Sequence, residues 1–166
     1  ALPLSLNITI QKAKYKYVLG LVKDKGKASN IKAFLNNTCE PLLVKNVEKT
    51  FREKTFFDGS STQVWTKLSD TTKKRRLKKG TWYGDHASKL QEYYDMYNNI
   101  KSGVFRRNSA GSHSIGLRPS GKEAEKANIH QYGQTTPFVI PARPPLTFQE
   151  DIIDKIIHET ERYLSL

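Results

Sequence analysis

The nine residues Pro137-Phe-Val-Ile-Pro-Ala-Arg-Pro-Pro145 restrict this chain more than any other stretch. Each proline removes an amide donor and fixes φ, so neither a helix nor a central strand can run through them. The elements on either side must therefore be separate. Before it, Ala124 to Tyr132 reads as a short helix or turn. After it, Thr147-Phe-Gln-Glu150 has the pattern of a capping box, and Ile152, Ile153, Ile156, Ile157 and Leu164 form one apolar stripe on a terminal helix. A segment so stiff loses little entropy when it lies extended across a surface. Arg143, held between prolines, presents a fixed guanidinium suited to a carboxylate or to carbonyls. The plainer alternative is a proline-rich connection within one subunit.

Upstream, Leu2, Leu4, Leu6, Ile8 and Ile10 alternate with Ser5, Asn7 and Thr9, the pattern of a half-buried strand. Tyr15 to Val22 is also strand-like, and Lys23 to Lys27 is a turn or loop. Ser29 is placed to cap a short helix through Leu35, and Thr38 a second one with Glu40 and Pro41 in its first turn. Leu43, Val44, Val47 and Phe51 give that second helix a buried face. Phe56 to Ser61 ends it in turn residues. Ser69 is the N-cap expected for a very basic helix over Asp70 to Lys79, ending at Gly80. Residues 88–100 carry an aromatic helical face, including Tyr93, Tyr94 and Tyr97. Gly103 to Arg107 and Ser114 to Arg118 read as two strands across a Ser/Gly turn at 108–112. The expected fold class is α+β: a small antiparallel sheet packed against several helices, with an extended N-terminal arm or hairpin.

Charge is unevenly placed. The net formal charge is +12. Residues 1–37 carry +6, residues 67–79 another +6, and the terminal residues 147–166 carry −3. A basic front and an acidic terminal helix suit an anionic partner, or head-to-tail contact between like subunits. Apolar residues make up 37%, below the usual globular share, which is consistent with arms or loops that order against a partner. No run of about 18 apolar residues offers a membrane span. Ala1 to Ile10 lacks a basic flank and a small-residue cleavage site, so a signal peptide is not expected. With a single cysteine, Cys39, no intrachain disulfide can form, which fits a reducing compartment.

Nothing in the chain proposes catalysis. His86, His113, His130 and His158 never stand at i, i+4, so no zinc pattern, cofactor motif or nucleophile elbow is present. Structural or surface roles are expected for all four, and neither a metal nor a cofactor is assigned. The conspicuous motif is the basic run Lys73, Lys74, Arg75, Arg76, Lys78 and Lys79, interrupted by Leu77. It can contact DNA phosphates without reading sequence, be a solvated helix face with Leu77 packed inward, or form salt bridges with an acidic neighbour. Tyr93, Tyr94 and Tyr97 could stack bases, although their helical spacing favours core packing.

Five pieces in order carry a resemblance. A helix ends near Phe51 in an aromatic and Gly/Ser turn. Trp65-Thr-Lys-Leu-Ser69 follows, then Thr71-Thr-Lys-Lys-Arg-Arg76. Ile129-His-Gln-Tyr-Gly133 and Ile140-Pro-Ala-Arg-Pro144 come next, before the amphipathic terminal helix at 147–164. Together they resemble the phage virion morphogenesis family, the tail-completion proteins of contractile-tailed phages. Lys67 departs from that pattern, which has Pro there, and Pro145 stands in place of its usual Phe. The family's Thr-Gly-x-Leu segment has no counterpart in the expected place, where the Tyr-rich stretch 88–100 lies.

The resemblance spans about 51–166 and implies a small α+β structural protein of the neck or upper tail. Such a protein completes the tail or joins head and tail. It implies a ring, expected to be a homohexamer, contacting neighbouring neck, tail-tube or connector proteins, with room for some Lys or Arg to face DNA in the channel, and no membrane. Assembly would take place in the bacterial cytoplasm. Residues 38–166 would form the family-like domain, with residues 1–37 as a β arm or hairpin that is part of it or appended to it. Trp65 and Leu68 would anchor the loop before the basic helix. His130 and Gln131, followed by Gly133, would satisfy backbone groups at the sheet edge. Phe138, Ile140, Pro141, Arg143 and Pro144 would pack on a neighbouring subunit, and Ile152, Ile156 and Ile157 would close the core. A nonspecific DNA-binding protein using its basic segments is the alternative.

Overall fold

The computed structural model describes residues 5–11, 28–79, 94–109 and 112–164. The strand-like stretch at 15–22, the loop at 23–27, and Gly80, Tyr93 and His86 lie outside them. The fold is α+β. Strand β1 (Leu6–Gln11) pairs antiparallel with β5 (Ser112–Leu117), which pairs antiparallel with β4 (Val104–Asn108), giving the order β1-β5-β4. The register sets Leu6 opposite Leu117 and Val104 opposite Leu117, so one face of the sheet is apolar. Leu6, Ile115 and Leu117 are buried there. The other face carries Asn7, Thr9, Ser114, Phe105 and Arg107, as period-2 alternation requires.

Helix α1 (Ala28–Phe34) continues through a π-helical turn at Leu35–Cys39 into α2 (Glu40–Glu53). The two capped helices expected at Ser29 and Thr38 are thus one continuous rod, with its first helical residue already at Ala28. Pro41 supplies the reason. It cannot donate to the carbonyl four residues back, and its ring needs room there. The wide turn accommodates this, with the Glu40 amide bonding the Leu35 carbonyl instead. Arg106 of β4 pins the turn from outside, donating Nε to Asn36 Oδ1 at 2.6 Å and Nη2 to Glu40 Oε2 at 2.7 Å.

Ile31, Phe34, Leu35, Leu43, Val47 and Phe51 of this rod bury against the apolar face of the sheet, with Met96, Tyr97 and Ile100 of α4 (Tyr94–Ser102). Tyr97 is a core residue, its ring 5.8 Å from that of Phe51, while Tyr94 stays exposed. Cys39 is also enclosed, and burial pushes its thiol up to about 12.

A hairpin of β2 (Thr55–Phe57) and β3 (Thr62–Val64) follows α2. Its turn is closed by the Asp58 carboxylate, which accepts from the Ser60 and Ser61 amides at 2.8 and 2.9 Å. Those bonds hold Asp58 down at about 2.

Helix α3 (Asp70–Lys78) is the basic helix, capped as expected by Ser69, whose side chain accepts from the Thr72 amide at 3.2 Å. Helix α5 (Gly121–Tyr132) precedes the proline segment, and α6 (Glu150–Leu164) follows it. The expected capping box is not formed. Helix α6 starts at Glu150, with the Gln149 carbonyl accepting from the Ile152 and Ile153 amides, and the Thr147 hydroxyl is buried without a hydrogen-bond partner. Ile152 is buried and Ile156 half-buried, but Ile157 is half exposed and does not close the core. No described helix is long and apolar enough to cross a membrane.

Candidate functional site

Three stretches far apart in sequence meet at Arg143. Its Nε donates to the Thr66 carbonyl at 2.6 Å and its Nη2 to the Lys67 carbonyl at 3.0 Å. Its backbone amide donates to the His130 carbonyl at 2.7 Å. One residue therefore ties the loop before α3 to the end of α5. Gln131 closes the next link. Its Oε1 accepts from the Leu146 amide at 3.0 Å, and its Nε2 donates to the Leu146 carbonyl at 3.3 Å, so the side-chain amide behaves as a strand partner. Gln134 and Ile140 exchange two backbone bonds, at 2.7 and 2.8 Å, and fold the proline segment back on α5.

Gly133 makes this return possible. Its φ of 76° with ψ of −179° belongs to a region that glycine alone occupies readily. A Cβ there would lie 2.8 Å from the Ile140 oxygen and 3.0 Å from the Ala142 nitrogen. Trp65, on the other side of the clasp, packs edge-on to Phe51 at 5.6 Å and anchors its loop in the core, and Leu68 is half-buried.

These contacts revise two expectations. Arg143 is 5% exposed and Pro144 is buried, so both bind the chain to itself rather than to a neighbouring subunit. The proline segment is an internal connection at this end. Ile140 and Pro141 are half-buried, and the outward-facing part is Phe138 and Val139, 73% and 81% exposed. Gln131 satisfies backbone groups of the α5–α6 connection, not of the sheet edge. His130 contributes its carbonyl. Burial, with the positive charges of Arg143, Arg76 and Lys126 against the opposing Glu123, lowers its ring from 6.5 to about 4.

A second buried polar group was not foreseen. Asn46 donates Nδ2 to the Thr147 carbonyl at 2.7 Å and accepts the Gln149 amide at 2.6 Å. Gln149 Nε2 donates to Thr50 Oγ1 at 2.9 Å and to the Thr55 carbonyl at 3.0 Å. Asn46, Thr50 and Gln149 are all but fully buried. The available signal was the pair of polar residues on the otherwise apolar face of α2, four apart. Nothing in the sequence indicated that their partner was Gln149.

The charged surfaces lie elsewhere. Helix α3 has no buried residue, and Leu77 is 65% exposed rather than packed inward. Lys74, Leu77 and Lys78 share one face, and Lys74, Arg75, Lys78 and Lys79 make no ion pair among the described residues. On α6, Glu150, Asp154, Ile157 and Glu161 are exposed at helical spacing, an acidic stripe around an exposed isoleucine. Its neighbour Asp151 is engaged by Lys49 at 2.8 Å. Among the described residues no group of three or more His, Cys, Asp or Glu is arranged to hold a metal.

The fold and these surfaces define a small α+β protein with an internally clasped proline segment and two oppositely charged, outward-facing helices. No family model, curated protein or solved structure matches the chain.

Proposed function

We propose that this protein is a structural subunit of a tailed-phage virion. It would assemble head to tail into a ring of the neck or upper tail, completing the tail or joining head to tail. The observation that carries the reading is the complementarity of α3 and α6. Each presents an exposed aliphatic residue, Leu77 or Ile157, within a face of one charge, basic on α3 and acidic on α6. An exposed aliphatic flanked by like charges gains most from a partner that buries it and neutralises its surroundings. A second copy of this chain supplies that partner, and a heterologous contact of this kind closes into a ring or runs on as a filament. The resemblance of the segments at 65–76, 129–133 and 140–144 to tail-completion proteins supports placing such a ring in the virion. That Arg143 joins those segments gives them a common structural purpose.

Native mass spectrometry of the purified protein tests the assembly. A closed oligomer, expected to be a hexamer, should be lost in Lys74→Glu/Lys78→Glu and in Asp154→Lys/Glu161→Lys. Mixing the two variants should restore oligomers in which they alternate, since each native face then meets a native one and each reversed face a reversed one. A chain carrying all four changes should assemble again. Electron microscopy of a lysate from a phage lacking this protein tests the role: full heads beside separate finished tails support the reading, and normal particles overturn it.

The exposed lysines and arginines of α3 favour one second reading, nonspecific DNA binding. It requires an affinity that falls steeply with salt and normal virions in the absence of the protein.

A further inference from the structure

The outer face of the sheet bears a site that neither charged helix contributes to. The register lines up Asn7, Gly116 and Phe105 in one row across the three strands, and Thr9, Ser114 and Arg107 in the next. Ser5 and Arg118 stand on the same face in the next row on the other side, two residues along their strands from Asn7 and Gly116. Gly116 in the central strand leaves a gap, and Phe105 fills it. A Cβ on Gly116 would lie 2.6 Å from Cε1 and Cζ of that ring and 2.5 Å from the Leu6 oxygen. The ring thus rests on bare backbone and becomes a floor for two guanidinium groups. Arg118 sits 4.7 Å and Arg107 5.5 Å from its centroid.

Both arginines are exposed, and neither has a carboxylate partner among the described residues. They are held by the aromatic ring, so less side-chain freedom remains to be lost when an anion binds. The groove, about 180 Å³ in all, is completed by Ser5, Asn7, Thr9 and Ser114, with no acidic group in its lining. Along β1 the side chains are already linked: Thr9 Oγ1 donates to Asn7 Oδ1, and Asn7 Nδ2 to Ser5 Oγ, each at 3.3 Å. The polar edge from Ser5 to Thr9 is about 13 Å long at the usual strand rise. An edge of that length, with two separate fixed cations beside it, suits a chain of anions better than a single ion.

We propose that this face binds the sugar-phosphate backbone of a nucleic acid, with Arg107 and Arg118 on successive phosphates and the hydroxyl and amide groups of β1 alongside. The assignment holds whether or not the protein forms a ring. The described residues of this face offer phosphate contacts rather than a fixed set of donors and acceptors for base edges, so the binding is sequence-independent.

Fluorescence anisotropy with a labelled 20-nucleotide single strand and its duplex, over a salt series, tests it. Arg107→Gln/Arg118→Gln should weaken binding about tenfold or more at low salt and flatten the log–log salt slope by roughly 1.4 on the single strand or 1.8 on the duplex, the value for two phosphate contacts. Arg107→Lys/Arg118→Lys should restore most of the slope. Lys74→Gln/Lys78→Gln provides the comparison on α3. The proposal is overturned if the sheet-face variant binds both probes with the native affinity and slope, whether or not the α3 variant loses them. It is equally overturned if the sheet-face variant loses affinity for poly-glutamate alone.

Discussion

Arg143 reaches across 77 residues of sequence to bond the Thr66 carbonyl at 2.6 Å, and the same guanidinium takes the Lys67 carbonyl. The basic helix begins two residues further on, at its Ser69 cap. The loop that delivers α3 to the surface is therefore held by a residue of the proline segment.

Arg143→Ala should accordingly destabilise the fold itself. It removes a buried charge together with two carbonyl partners, a loss of about 2–4 kcal/mol. Urea unfolding should show a lower midpoint with an unchanged slope. Arg143→Lys should recover part of the loss, because an ammonium lacks the planar fork that serves two carbonyls at once. Unaltered stability would mean that the clasp does not hold the loop.

Asn46 and Gln149 hold one corner through different partners. Asn46→Ala or Gln149→Ala alone leaves buried polar atoms without partners and should cost about 2–3 kcal/mol. The double variant should cost close to the sum, because Gln149→Ala keeps the backbone amide that Asn46 accepts, and Asn46→Ala keeps the Thr50 and Thr55 groups that the Gln149 side chain bonds. A double variant costing clearly less than the sum would show that the two side chains act as one unit.

Gly133→Ala should cost about 2–3 kcal/mol, because the backbone there is one that a Cβ disfavours and the Ile140 carbonyl occupies its space. Thermal unfolding measures this directly. Gly59, also at positive φ but with nothing within 4 Å, should lose less on the same substitution.

His130 predicts an acid-side loss of stability. Its folded value of about 4 lies below the ordinary 6.5, so the unfolded chain binds more protons between those values. Stability should therefore be full above about pH 6.5 and fall as pH drops toward 4, by up to about 3 kcal/mol. The groups facing it are Arg143, Arg76 and Lys126, which disfavour its charge, and Glu123, which favours it. His130→Asn should flatten this part of the profile in unfolding experiments at pH 4.5 and 7.5. An unchanged profile would assign the acid loss to other groups.

Much of the fold was legible because it depends on local chemistry. The alternation at 5–9, the strand patterns at 103–107 and 114–118, the Ser69 cap and the proline block at 137–145 each act through neighbours in sequence, so the strands of the sheet and the basic helix follow from them. Two local readings failed where a tertiary or register effect intervened. Ser29 and Thr38 looked like separate caps, but Pro41 is absorbed by a π turn that Arg106 braces from another strand. Thr147 looked like a cap, but Asn46 and Gln149 fix that corner and start the helix later.

By itself, the sequence determined the α+β class, the strands of the three-stranded sheet, the basic and terminal helices and the separation of positive and negative charge, since periodicity, proline and charge are properties of the chain; the hairpin at 55–64 was not among them. The tertiary structure alone decided which polar residues face inward and which apolar ones face out. Arg143 turned inward because two carbonyls of a distant loop satisfy its charge. Leu77 and Ile157 stayed outside because the core is filled by other residues. Phe105, Arg107 and Arg118 became one site because β-pairing sets a glycine beneath the ring, and pairing partners are chosen by the whole fold rather than by neighbours in sequence.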